Sequence, residues 1–286
     1  MIHVATVHWR NDRWIDIQRH YLDAYLGGPY RAYAFLNDVP GDHRDKFFYT
    51  STERIRDHAT KLNLLCDVIR LAADDPSDLL VVIDGDAFPV GPLEPLVEER
   101  LSEHRLIAVQ RYENNRDLQP HPCFCVTTVG FWSEVGGDWH EGYEWTDPGG
   151  DPITDVGGNL LAALEREGVD WYRLRRVNRV NPHPLFFALY GDERHGPVVY
   201  HHGAGFRAAA GRVMRELHGE REIQSSRFVA VRDLLARRGP EPLRRLSRRH
   251  HPVTELRRRL KQQTKELSEQ MMDRIRADDE FWRELA

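Results

Sequence analysis

Cysteine is scarce in this chain of 286 residues: Cys66, Cys123 and Cys125 are all it has. An odd count argues against a disulfide scaffold, and one C-x-C pair without a second pair cannot complete a four-ligand structural zinc site. Also missing is any apolar run approaching the ~20 residues that cross a bilayer. Met1–Trp9 lacks the basic stretch followed by an apolar one that marks a secretory leader. The expected compartment is therefore a reducing cytoplasm. A formal net charge of −5 and a pI near 6.3 argue against a surface that is basic all over, so nucleic acid is not an expected partner. Internal repeats and low-complexity tracts are absent.

What is present describes a folded, enzyme-sized body: 41% hydrophobic and 30% charged residues, with 7 Trp and 10 Tyr. The β-rich run Ile2–Trp9 precedes a periodic stretch, Asp12–Leu26, that ends at Gly27 and Gly28. Tyr30–Leu36 reads as a strand, 53–73 as a helix with Leu62, Leu65, Ile69 and Ala73 on one face, and Leu79–Ile83 as a short apolar strand. That order predicts right-handed crossovers and a largely parallel sheet covered by helices on both faces, an α/β fold. Further on, strands are predicted at Leu106–Arg111, Cys123–Trp132, Trp171–Leu174 and Pro197–His201, with a helix at Asp155–Glu167. Gly136–Pro152 reads as a long functional loop. Beyond about residue 207 the pattern turns helical, at Arg207–Gly219, Glu222–Gly239 and Val253–Leu285, which divides the chain into 1–206 and a helical, basic extension, 207–286.

The most informative segment runs from Leu79 to Val90. Five apolar residues drive a buried strand, and Asp84 and Asp86 then appear as the chain emerges, with Gly85 between them to allow a tight turn. In such sheets ligands gather beyond the carboxyl ends of the strands. Two hard oxygen ligands there suit Mn²⁺ or Mg²⁺, which holds a diphosphate and neutralises charge as a nucleotide leaves.

With its D-x-D after a nucleotide-binding half of this length, the sequence resembles the GT-A glycosyltransferases, and in arrangement their retaining group related to glycogenin and the bacterial galactosyltransferases. The resemblance covers roughly residues 1–207. It implies a GT-A catalytic domain, a metal-dependent hexosyl transfer from a UDP-, GDP- or dTDP-sugar, and a glycan, lipid or small-molecule acceptor. It further implies that Asp155 and Asn159, in Thr154–Leu161, stand beside the transferred sugar. It places a histidine, His201 or His202, on the metal, with Gly203 and Arg207 at the diphosphate. A nucleotide pocket is expected at the first strand ends, from Thr6, Val7, His8, Arg10 and Asn37, with His58 and Lys61 facing it from a helix and Lys61 the better phosphate partner. Asp147, Asp151 and Asp155 are the carboxylates available as a base for an inverting reaction; retention needs none, and the resemblance leans to retention.

Three alternatives stand beside this. A HAD-type phosphatase also sets D-x-D after an apolar strand, but opens with it, follows it with a Thr or Val where this chain has Phe88, and adds a later acidic cluster that is not found here. A nucleotidyltransferase needs a glycine-rich first loop, and Thr6–Arg10 contains no glycine. A non-catalytic nucleotide-sugar binder has no feature in the sequence that excludes it. In the tail, Arg237–Lys261 carries 10 basic and 2 acidic residues, a candidate contact for an anionic acceptor or a membrane surface. Leu256, Leu260, Leu267, Met271 and Ile275 approach a heptad, the expected seam of a homodimer.

Overall fold

Strand β1 (Ile2–Trp9) opens an alternation of strands and helices that follows the hydrophobic pattern closely: α1 (Arg13–Tyr25), β2 (Tyr30–Asn37), β3 (Tyr49–Ser51), α2 (His58–Ala72) and β4 (Leu79–Asp84). A computed structural model describes residues 1–114, 116–147, 150–203, 212–242, 244 and 251–286. The chain divides into one unit of Met1–Val180, Ala188–His202 and Trp282–Ala286, and a second of Asn181–Phe187 and Gly203–Phe281.

In the first unit the chain continues through β5 (Ala87–Pro89), α3 (Glu94–Glu103), β6 (Leu106–Val109), β7 (His121–Thr128), α4 (Val129–Glu134), β8 (Trp145–Thr146), β9 (Pro152–Ile153), α5 (Gly158–Arg166), β10 (Tyr172–Arg176), β11 (Ala188–Asp192) and β12 (Gly196–His201). Ten strands form one sheet in the order β3-β2-β1-β4-β7-β6-β10-β11-β12-β5. β1 to β4, β6, β10 and β12 run one way, with β7, β11 and β5 against them, so most strands share a direction although the sheet is mixed. Alternate residues of each central strand serve opposite faces. Ala5, Leu80, Val82, Leu106 and Ala108 pack with Leu62, Leu65 and Ile69 of α2 and Leu160 and Leu164 of α5. Val4, Val81, Ile83, Ile107 and Val109 pack with Leu22 of α1 and Leu96 of α3.

Four local features depart from the sequence expectation. The strand expected over Cys123–Trp132 stops at Thr128, whose hydroxyl accepts the Phe131 N–H and starts α4. α2 begins at His58, five residues late, because Asp57 caps it by accepting the Thr60 N–H. α5, expected from Asp155, begins three residues later at Gly158, so neither Thr154 nor Asp155 is its cap. That place falls to Gly157, left-handed at φ +94°, where an added Cβ would lie 2.1 Å from the Pro120 carbonyl oxygen. The stretch expected to be a loop, Gly136–Pro152, contains β8 and puts fully buried Trp139 into the core, stacked on Trp132.

The second unit is helical: α6 (Arg212–Leu217), α7 (Glu220–Ser225), α8 (Arg227–Arg238) and α9 (Pro252–Ala277). The helix expected over Glu222–Gly239 is interrupted at Ser226, which turns extended and caps α8 through the Val229 N–H. α9 packs on α6 and α7, and buried Glu220 is paired with Arg215 and Arg257. Leu256, Leu260, Met271 and Ile275 are already buried within the chain. Four of the five residues of the expected homodimer seam are thus used inside the chain, and Leu267 is half-buried. Part of Arg237–Lys261 lies outside the described residues. Among the described residues no helix is long and apolar enough to cross a membrane.

Candidate metal centre

Asp84 ends β4, and Asp86 follows two residues later in the turn to β5. β5 then pairs antiparallel with β12, with Ala87 opposite His201. This short strand, too brief to read from the sequence, is what delivers the histidine. His201 Nε2 lies 3.7 Å from Asp84 Oδ2 and 3.5 Å from Asp86 Oδ1. One oxygen from each carboxylate and the imidazole nitrogen fall within 4.8 Å of one another, the one such group of three found among the described residues. An ion held at about 2.1 Å from each ligand spans nearly that separation, and two hard oxygens with one imidazole suit Mn²⁺ or Mg²⁺.

The structure separates the two histidines. Along β12 alternate side chains oppose each other, so His202 turns into the core. Its ring packs 4.7 Å from that of Trp14, and its Nδ1 is 3.0 Å from the Tyr200 hydroxyl. Burial pushes its pKa down to about 3, so it stays neutral. It contributes to the site through its backbone N–H, which donates to the Asp86 carbonyl.

His58, at the first turn of α2, places Nε2 3.0 Å from Asp84 Oδ1. Burial alone would raise the pKa of Asp84, but the hydrogen bond and charge of His58, with the charge of His201, bring it below the ordinary value. Gln18 of α1, a residue the sequence analysis did not single out, ties the turn down. Its Nε2 donates to the carbonyls of Asp84 and Ala87, both at 2.8 Å, and its Oε1 accepts the Thr6 hydroxyl at 3.0 Å. The side chain of Thr6 is thereby committed to holding the carboxylate turn.

The remaining expected nucleotide contacts gather at the carboxyl ends of β1 and β2. His8 is buried, with Nε2 lacking a hydrogen-bond partner, and burial lowers its pKa to about 4. The Val7 carbonyl lies under Gly85. Asn37 donates from its amide to the Glu53 carbonyl, and its buried Oδ1 has no partner. Arg10 sits over the Trp9 ring at 4.6 Å. Lys61, one turn beyond His58 and 3% exposed, approaches the same ring at 5.8 Å from Nζ without a hydrogen bond, and burial lowers its pKa. Beside Asn37 lies a cavity of about 200 Å³ lined by Leu36, Val39, His43, Arg44 and Thr52.

The expected catalytic pair is placed differently. Asp155 accepts the Val156 N–H with Oδ1, while the Asn159 amide donates to Asp138 Oδ2 at 2.7 Å. Asp138 also accepts from Asn63 and from the backbone of His140, so Asn159 belongs to a bracket that joins α5 to α2. Asp147 accepts the Asp151 N–H inside the β8–β9 hairpin. Gly203, at φ +68°, belongs to the second unit, and Arg207 lies outside the described residues.

The connection from β6 to β7 holds residues that sequence reasoning missed. Gln110, Arg111, Asp117, Gln119 and His121 are all buried. His121 lies between this group and the carboxylates: its Nε2 is 3.1 Å from Arg111 Nη1, and its ring is 6.0 Å from that of His201. Burial lifts the Asp117 carboxyl to about 7, with Asp155 and Glu113 adding to the rise against Asn114 and Arg111. The available signal was a polar run, Gln110–His121, directly after a buried strand.

No protein-family profile matches the chain, and no curated protein sequence matches it. Solved structures do match part of the chain. The match to S. aureus TarS has 10% identity and a TM-score of 0.36, covering 49% of this chain and 30% of that one. The chain thus spans less than a third of the TarS chain. The catalytic domain of Drosophila β1,4-galactosyltransferase 7, in complex with xylobiose, matches with 12% identity and a TM-score of 0.38 over 60% of this chain and 65% of that one. The galactosyltransferase LgtC, in complex with donor and acceptor sugar analogues, matches with 13% identity and a TM-score of 0.34 over 59% and 73%. At these identities and TM-scores the likeness carries no inference to the chemistry of this chain.

Proposed function

We propose that this chain is a glycosyltransferase of the GT-A type that moves a sugar from a nucleoside diphosphate sugar to an acceptor hydroxyl. The supporting observation is the convergence of Asp84, Asp86 and His201 at the carboxyl edge of the sheet, with the largely buried side chain of Lys61 one helical turn from His58. Asp84, Asp86 and His201 would hold Mn²⁺ or Mg²⁺, which when bound supplies charge neutralisation for the departing diphosphate. Lys61 adds a cation without an ion of its own to release. His58 and Gln18 keep the carboxylates ionised and aimed. The base is received at the ends of β1 and β2, where Asn37 Oδ1 and His8 Nε2 are the unspent polar atoms.

In this reading residues 1–206 are catalytic and 207–286 an extension. Asp155 faces the sugar and Asn159 positions it through Asp138. Transfer proceeds in this reading with retention, the leaving phosphate oxygen taking the acceptor proton; the hairpin bond of Asp147 removes one of the three carboxylates that an inverting reaction could use as a base. The phosphatase alternative calls for further acidic residues beside the first two; here the third position holds a histidine.

The test is release of nucleoside diphosphate from UDP-, GDP- and dTDP-sugars with Mn²⁺. Release by the native chain that Asp86→Asn abolishes supports transferase chemistry. Binding without release from any donor or acceptor would instead support a nucleotide-sugar binding protein.

A further inference from the structure

α8 (Arg227–Arg238) keeps one side within the second unit and turns the other outward. Val229 is buried, whereas Phe228, Val231 and Leu234 are 63%, 56% and 56% exposed. Helical spacing orders the outward side further. Arg227, Val231, Leu234 and Arg238 fall at i, i+4, i+7 and i+11, so they share one row about 16 Å long, with Phe228 beside its start. All five residues are exposed. The row is therefore apolar in the middle and cationic at both ends.

No acid shares that row. The one carboxylate of α8, Asp233, is 3.1 Å from His251 Nε2 and is occupied there. Arg232 sets its guanidinium 5.6 Å over the Phe228 ring, a further cation beside the apolar group. Past the helix the sequence stays positive, with 10 basic and 2 acidic residues over Arg237–Lys261. Apolar side chains grouped on a surface and rimmed by charge mark a contact site. A second copy laid along the row would set arginine near arginine with no acid on the row to pair. A lipid surface with anionic headgroups suits both parts: the arginine stems lie along apolar neighbours while their guanidiniums stay among the headgroups. Positive charge that continues beyond the helix fits an extended anionic surface of this kind.

We propose that α8 rests on an anionic lipid surface, with Phe228, Val231 and Leu234 entering between the headgroups and Arg227 and Arg238 pairing with their phosphates. The contact is peripheral, since among the described residues no helix is long and apolar enough to cross a membrane. It does not rest on the glycosyltransferase reading.

The experiment is flotation of the full chain with vesicles of phosphatidylcholine alone and of phosphatidylcholine mixed with phosphatidylglycerol, at low and at high salt. The expected result is binding to the mixed vesicles that weakens as salt screens the arginines, and binding to phosphatidylcholine alone that is weaker by about tenfold or more. Phe228→Ser, Val231→Ser and Leu234→Ser combined should reduce binding to the mixed vesicles by about tenfold or more, because the apolar area that enters the surface is lost. Arg227→Gln with Arg238→Gln should reduce it by about fivefold or more. Both variants should keep the native circular dichroism and melting, since the altered side chains are exposed. Should the triple variant melt early, Phe228→Ser alone is expected to weaken binding by about threefold or more. A native chain that does not float with the mixed vesicles at low salt overturns the proposal. So does a folded triple variant that floats as well as the native chain, because charge elsewhere then makes the contact. A native chain that sediments as a dimer, with the triple variant a monomer, also overturns it, because a second copy then covers the row.

Discussion

Gly85 passes so close to the end of β1 that a Cβ added to it would lie 2.4 Å from the Val7 carbonyl oxygen and 2.8 Å from His8 Nδ1. The glycine between the carboxylates is therefore required by a backbone approach as well as by a turn. Relief has to come from moving Asp84 and Asp86 away from the strand that supports them.

Gly85→Ala is expected to cost about 1–3 kcal/mol, in the range of overpacked interiors, and to weaken Mn²⁺ binding with it. Urea unfolding of the metal-free protein and a Mn²⁺ titration read the two effects. Native stability with native metal affinity would show that the turn has room the structure does not.

His8 makes the fold sensitive to acid. Its imidazole takes a proton near 6.5 in the unfolded chain and only near about 4 in the folded one. Between those values the unfolded state binds more protons, so stability is full above pH 6.5 and falls as pH drops toward 4. At about 1.4 kcal/mol per pKa unit the loss from this residue is about 3 kcal/mol. His202 acts in the same direction. Denaturant midpoints between pH 7 and 4 should fall less steeply in His8→Gln than in the native chain; parallel curves would contradict this.

Lys61→Met should separate stability from binding. Removing a charge that burial disfavours and no ion pair offsets is expected to stabilise the ligand-free fold by about 1 kcal/mol. The same change should reduce Mn²⁺-dependent nucleotide affinity by about tenfold or more, because a charge-assisted contact is lost. A destabilised variant with unchanged affinity would mark Lys61 as structural.

The histidine pair gives a second separation. His201→Ala should lower Mn²⁺ affinity by about tenfold or more while unfolding near the native midpoint. His202→Ala should instead open a cavity against Trp14 and Tyr200 and cost about 2 kcal/mol or more of stability. The reverse pattern in metal titration and thermal melts would reassign the ligand.

Much of this arrangement was legible beforehand because local rules and burial agree there. Ile2–Trp9 and Leu79–Ile83 are buried strands in sequence and in structure, and the polar residues that follow them do stand at the sheet edge. Which histidine faces the carboxylates was not legible, since it depends on pairing between β12 and the three residues of β5, a contact between segments far apart in the chain. Asn159 looked available because helix position says nothing about Asp138, twenty-one residues earlier and hydrogen-bonded to it. Gln18 and Arg111 escaped notice for a similar reason. A glutamine on a periodic helix and an arginine closing a predicted strand give no local sign of the tertiary packing that buries them.

The central claim is that Asp84 and Asp86 hold a divalent ion that in turn holds a nucleoside diphosphate. Titration calorimetry of UDP, GDP and dTDP against the native chain, Asp84→Asn and Asp86→Asn, each with and without Mn²⁺, tests it most directly. The expected result is binding of one nucleotide by the native chain only when Mn²⁺ is present, lost in both variants while their circular dichroism and melting remain native. Equal affinity with and without the metal, or undiminished affinity in either folded variant, would contradict it.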